Sequence, residues 1–189
     1  MGADMVFTGP QTGLDRFQDA LHDVLGVDHS TAGVRATQIG NGMHPTLVFE
    51  AGRALSLSDS ARLRPFIEAR AGVENILRVG ADLTVGNYGQ DALLVRDPVS
   101  GQRYRAIAGG GAGLSLVLGG DIAKVSNSTY LPASRGYRLS NTRDRLRAGV
   151  HWQGKSGRSA YYGLSWLGKE FKGQADDQLI GSLRLKLAF

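Results

Sequence analysis

Cysteine is absent from the 189-residue chain. Disulfides and thiolate-ligated metals are therefore excluded. The same absence suits a chain that crosses an oxidising compartment unfolded. Proline is sparse at 5 residues. No run of about 18 apolar residues occurs, so there is no transmembrane-helix signal. The opening Met1-Gly2-Ala3-Asp4-Met5-Val6 lacks the basic and apolar regions of a secretory leader. His29, His44 and His151 have no metal-ligand spacing, which argues against zinc. Gly109 to Gly113 is followed by no Gly-Lys-Ser/Thr, so it is no phosphate loop. No Gly-x-Ser-x-Gly elbow is present either.

Twenty-seven glycines and a net charge of +5 are what the chain does have. Glycine disfavours helix interiors and is at home at bends and crowded strand positions. The arginines recur singly inside alternating segments instead of gathering on one face. That spacing argues against a nucleic-acid partner and fits anionic lipid better.

One amphipathic helix is predicted. Residues 3–9 form a short strand ending at Gly9-Pro10. Thr12 and Asp15 then have capping-box spacing. Leu14, Phe17, Leu21 and Val24 fall on one helical face, and Gly26 suits the C′ position.

From about residue 44 the period becomes two. Alternating strands are expected at 45–52, 63–74, 77–86, 145–152, 160–167 and 182–189. Residues 102–125 are less regular, with strand at 104–108 and strand or short helix at 114–118. Residues 126–140 read as a long polar loop. The total is about eight strands in one domain, 1–189, an even number as in bacterial barrels.

Alternation alone means one dry face and one polar face. Three features favour a membrane barrel. Glu68, Arg70, Arg78, Asp82, Arg147 and Arg184 put charge in mid-strand, where it can pair across a wet lumen. Trp152, Tyr162, Trp166 and Phe189 lie near strand ends, like interfacial girdles. The last strand stops at Phe189, which resembles the sorting signature of bacterial outer-membrane proteins. The predicted fold is all-β, an antiparallel transmembrane β-barrel with a short helix near the N-terminus. The predicted location is the bacterial outer membrane, as a monomer.

Several segments also resemble a known family. They are Thr8-Gly9-Pro10, then Phe17-Gln18, Leu21-His22 and Leu25-Gly26. Pro45 to Glu50, Leu77 to Gly86, Lys169 to Gln174 and Gly181-Ser182-Leu183 continue the match in order. Together they are similar to the LpxR-type outer-membrane lipid A 3′-O-deacylases, over that family's C-terminal two thirds. The resemblance implies a twelve-stranded barrel, calcium as cofactor, and hydrolysis of the 3′-acyloxyacyl ester of lipid A in lipopolysaccharide. It places the general base at His22 and a metal-site or orienting carboxylate at Asp28. Gln18, one turn before His22, shares its face. Arg135, Arg138, Arg143 and Arg145 either donate to lipid A phosphates, with Arg138 the candidate substrate-binding residue, or belong to a solvated loop.

The family's Asn-Asp pair, upstream of its Gly-Pro segment, has no counterpart here. Its aromatic Gly-Trp-Asp-Asn-Gln stretch becomes Gly33-Val34-Arg35-Ala36-Thr37-Gln38. The expectation is a deacylase-like esterase that lacks the family's N-terminal strands and whose catalytic set is incomplete in this stretch. Two alternatives stand beside it. One is a non-catalytic barrel with a structural or binding role. The other is a soluble lipocalin-like barrel, which would turn the dry face inward.

Overall fold

The computed structural model describes residues 1–26, 39–90, 92–106, 111–155 and 157–187. Asp28, His29 and Phe189 lie outside the described residues. The strands are β1 (Gly2–Thr8), β2 (Gly42–Gly52), β3 (Leu55–Ser56), β4 (Ala61–Ala71), β5 (Glu74–Val85), β6 (Leu94–Arg96), β7 (Arg103–Arg105), β8 (Gly113–Ser128), β9 (Arg143–Gln153), β10 (Ser159–Leu167) and β11 (Gln178–Lys186). One α-helix, α1 (Leu14–Leu25), follows a 3-10 turn at Pro10–Thr12. Among the described residues no helix is long and apolar enough to cross a membrane, which says nothing of strands.

Eight strands form one antiparallel sheet in the order β1-β2-β4-β5-β8-β9-β10-β11, with short β3 against β4. No pairing among the described residues joins β11 to β1. Six of these strands match the periodic segments of the sequence. The unexpected one is β8. It runs sixteen residues, through Gly119 and Gly120 and on to Ser128, so the polar loop begins only at Thr129. Its glycines have a packing cause. A Cβ at Gly119 would come within 2.6 Å of Arg147 Nε.

The pleat sorts the two faces with opposite polarity. Outward residues of neighbouring strands are exposed and apolar: Leu47, Phe49, Ile67, Leu77, Val79, Ile122, Leu146, Leu164 and Leu183. Inward residues of the same strands are buried and charged or polar, among them Glu68 (1% exposed), Arg78, Asp82, Asp121, Arg145 and Arg147. The small apolar cluster of Ile76, Ala123 and Val125 is a minor part of the interior. A water-soluble barrel has the reverse arrangement, with its large aliphatics inside. The lipocalin-like alternative is therefore corrected by the burial pattern.

The inward charges pair as the sequence led one to expect. Glu68 accepts from Arg78 at 2.6 Å and from Arg70 at 2.9 Å. Asp121 takes Arg78 at 3.0 Å, Arg145 at 2.9 Å and Arg147 at 2.5 Å. Arg147 also reaches Asp82 at 2.5 Å. An uncompensated charge in such an interior would cost several kcal/mol, so these arginines and carboxylates require one another.

A hairpin the sequence did not reveal fills the lumen. Residues 86–112 leave the end of β5 and return to β8, its direct neighbour. Within them β6 and β7 pair as a separate two-stranded unit. Arg96 of β6 lies 3.7 Å above the centre of the Phe66 ring and pairs with Glu50 and Asp82, each at 2.8 Å. Burial alone would lower the Arg96 pKa, but hydrogen bonds to Asp82 and Glu50 more than reverse this and raise it. On the far side, the Ser165 hydroxyl of β10 donates to the Ser100 carbonyl at 3.0 Å. Since one hairpin touches both β2 and β10, the sheet must curl around it.

The hairpin tip needs glycine. Gly101 has φ +72°, and a Cβ there would meet the Arg145 guanidinium carbon at 2.8 Å. Gly101→Ala is expected to cost about 1–3 kcal/mol through backbone strain alone, measurable as a lower urea midpoint of the protein folded in detergent.

Candidate functional site

Strand direction fixes which loops meet. The β1–β2, β4–β5, β8–β9 and β10–β11 connections all leave the same end of the sheet. Helix α1 belongs to the first of them, and Arg138 to the third.

Gln11 roots the helix-bearing connection. Its side-chain amide donates to the Thr8 carbonyl at 2.9 Å and to the Gly42 carbonyl at 2.8 Å, bridging β1 and β2. Its backbone N–H donates to Asn41 Oδ1 at 2.9 Å. Gly9, at φ +84°, leaves no room for a Cβ beside Asn41. The predicted capping box does not form. The N-cap is Gly13 in the left-handed region, with no side-chain cap bond, and Thr12 donates instead to the Gly9 carbonyl at 3.0 Å. The 3-10 turn places Thr12 too early to cap. Gly26 does close the helix, with φ +65° and its N–H aimed at the last carbonyls.

The helix carries the candidate base. Gln18 and His22 are four residues apart and so share a face. Gln18 is exposed and His22 half-buried. At 3.6 residues per turn, both lie along one edge of the stripe made by Leu14, Phe17, Leu21 and Leu25. That whole stripe, with Val24, is exposed. Among the described residues no strand packs substantially against α1. The imidazole therefore sits at the border of an uncovered apolar surface.

The loop arginines are arranged differently from the sequence expectation. Arg143 donates to Glu74 at 2.9 Å and lies 3.2 Å from Glu170. Arg145 grips Asp121 and the Pro98 and Val99 carbonyls of the hairpin tip. Both are structural cations tied to carboxylates, not lipid-facing donors. Arg138 is exposed, and its carbonyl accepts the Lys172 N–H at 2.7 Å. That bond and the Leu139–Phe171 bridge join the β8–β9 and β10–β11 loops. Beneath these loops lies a cavity of about 340 Å³ lined by Thr46, Arg70, Glu74, Arg143 and Glu170.

A calcium ion takes six to eight oxygen ligands. Among the described residues no group of three or more His, Asp or Glu side chains is assembled to hold a metal. Asp28, the carboxylate that the resemblance assigns to the metal, lies outside the described residues, and no chemical step is derived through the ion.

No protein-family model matches the chain, and neither does any curated protein. Among solved structures it is similar to LpxR from Salmonella typhimurium, with a TM-score of 0.74 and 19% sequence identity over 94% of this chain. The chain spans 62% of that protein's length. A likeness at that identity is one of fold: the curled antiparallel sheet described above has the LpxR architecture.

Proposed function

We propose that the protein is an outer-membrane barrel of the lipid A deacylase kind, acting on the 3′-acyloxyacyl ester of lipid A with His22 as general base. The observation that supports it best is the inverted sheet, apolar outside and charged inside, in a chain with the LpxR fold. Such a surface is stable in hydrocarbon and unfavourable in water.

The placement of His22 suits a lipid ester. A neutral imidazole near pH 7 can take a proton from water as that water attacks a carbonyl carbon. The attack forms a tetrahedral oxyanion, and the intermediate collapses with loss of the sugar alkoxide, which regains a proton. A base on the edge of an apolar stripe stands where acyl chains end and the polar sugar begins. Gln18, one turn away, is placed to hold the same polar part of the substrate by its amide. Arg138 at the same mouth is the proposed donor to a lipid A phosphate. Calcium and Asp28 belong to this reading through the sequence resemblance.

The test is the mass of lipid A. Outer membranes holding this chain joined to the family's upstream Asn-Asp strands, with calcium supplied, are expected to lose the acyloxyacyl group. His22→Ala should reduce that loss by at least about a hundredfold, the scale of general-base catalysis, with folding checked by heat-modifiable migration on a gel. Unaltered lipid A with the folded protein would leave a non-catalytic barrel. Full activity in the His22 variant would remove His22 from the chemistry.

A further inference from the structure

A cavity inside the sheet lies at the end away from α1. It has a volume of about 480 Å³ and sits between the inserted hairpin and the inner faces of β9, β10 and β11. That is room for a ligand well beyond a bare ion. It is not the mouth where Gln18, His22 and Arg138 lie.

Its charge is one-sided. Among the described lining residues Arg103, Arg105, Arg184 and Lys186 stand against a single carboxylate, Asp97. Asp97 is already engaged within its own turn. It accepts from the backbone N–H groups of Val99 and Ser100 and from the Ser100 hydroxyl at 3.1, 2.7 and 2.7 Å. No ion pair to a described carboxylate is formed by Arg103, Arg184 or Lys186. Elsewhere in the lumen Arg70, Arg78, Arg96, Arg145 and Arg147 are each matched to an acid, and this cavity departs from that pattern.

The cations are positioned, not loose. The Arg184 guanidinium carbon lies 4.8 Å from the Tyr104 ring centre, and that of Arg105 lies 5.2 Å from the Tyr88 ring centre. Arg105 also meets His151 Nε2 at 3.1 Å. Buried polar atoms in the lining lack partners: Gln102 Nε2, Arg103 Nε and the Tyr161 hydroxyl. Gln102 is 6% exposed. Unpartnered buried donors such as Gln102 Nε2 and Arg103 Nε are unusual in a folded interior. Burial, then the nearby Arg64 charge, pushes the Arg103 pKa down to about 10. It stays protonated at neutral pH and would gain from an anion.

We propose that this cavity is a binding site for a phosphate ester, held by Arg103, Arg184 and Lys186. Guanidinium groups match phosphate oxygens in paired hydrogen bonds. The apolar remainder of the lining, Ile180 and Leu183, would hold the organic part. A lipid headgroup and a soluble phosphate ester share this chemistry.

Calorimetric titration of the detergent-folded protein at low salt tests it. The probes are glycerol 3-phosphate and dihexanoyl phosphatidylglycerol. Saturable binding of either is expected, and the tighter of the two identifies the source. Arg184→Gln and Lys186→Gln, both at exposed positions on β11, should each weaken binding about tenfold, the scale of one charge-assisted phosphate contact. Lys172→Gln, at the opposite end, should leave it unchanged. No saturable heat from either probe with folded protein overturns the site, as does an unaltered affinity in both β11 variants. The readout does not involve lipid A hydrolysis, so the site and the deacylase reading can fail separately.

Discussion

Val79→Arg is expected to destabilise the protein by about 2–4 kcal/mol when it is folded in a bilayer, whereas Val85→Arg should cost no more than about 1 kcal/mol. Val79 lies in the middle of β5 and pairs with Ile67 on one side and Ile122 on the other. All three are exposed and apolar, Val79 at 49%. An arginine there must snorkel or thin the membrane. Val85 ends the same strand, where the side chain reaches the interface. Urea titration from lipid vesicles measures both. If this face met water, Val79→Arg would shift stability by no more than about 0.5 kcal/mol, as ordinary surface changes do. Equal, small effects at both positions would sink the membrane reading, whatever the enzymology shows.

Arg96→Ala should have an effect of similar size for the opposite reason. It removes the cation that ties the hairpin to Glu50 and Asp82 and the stacking on Phe66. Breaking a buried pair costs about 3–5 kcal/mol. The low end is expected, because Glu50 keeps Arg64 and Asp82 keeps Arg147. With a urea slope of about 1–3 kcal/mol per molar, the midpoint should fall by about 1–3 M. Trypsin should then cut after Arg103 or Arg105 before the sheet is digested. A variant with wild-type midpoint and an uncut hairpin would show that the insert is held by other contacts.

The sequence reading succeeded where the physics is local. Alternation in β2, β4, β5, β9 and β10 needs only neighbouring residues to be seen, and each strand appears within a few positions. Mid-strand charges announced a polar interior for the same reason. The hairpin as a unit escaped: β7 overlaps the strand read at 104–108, but its partner β6 is three residues long, too short to show a period. The far half of β8 escaped because it lies past Gly119 and Gly120, residues that propensity disfavours in a strand interior. They are glycines because Arg147 and Leu146 of β9 press against them, a fact of register, not of propensity. The pairing of Arg143 and Arg145 was not legible because their partners Glu74 and Asp121 are distant in the chain. In the candidate site, the spacing of Gln18 and His22 was legible, since helix geometry alone sets it. Gln11, which anchors that connection across two strands, carried no motif, and only the β1–β2 register reveals it.

The insert between β5 and β8 has an evolutionary consequence. Because those strands are already hydrogen-bonded along their length, the 86–112 segment is a side branch of the wall rather than part of its wiring. Closing such a branch carries an entropic cost that grows only slowly with its length. Its sequence can lengthen, shorten or change charge while every strand register stays put. A lineage could refit the interior of this barrel for a new ligand without disturbing the lipid-facing surface or the helix at the other end.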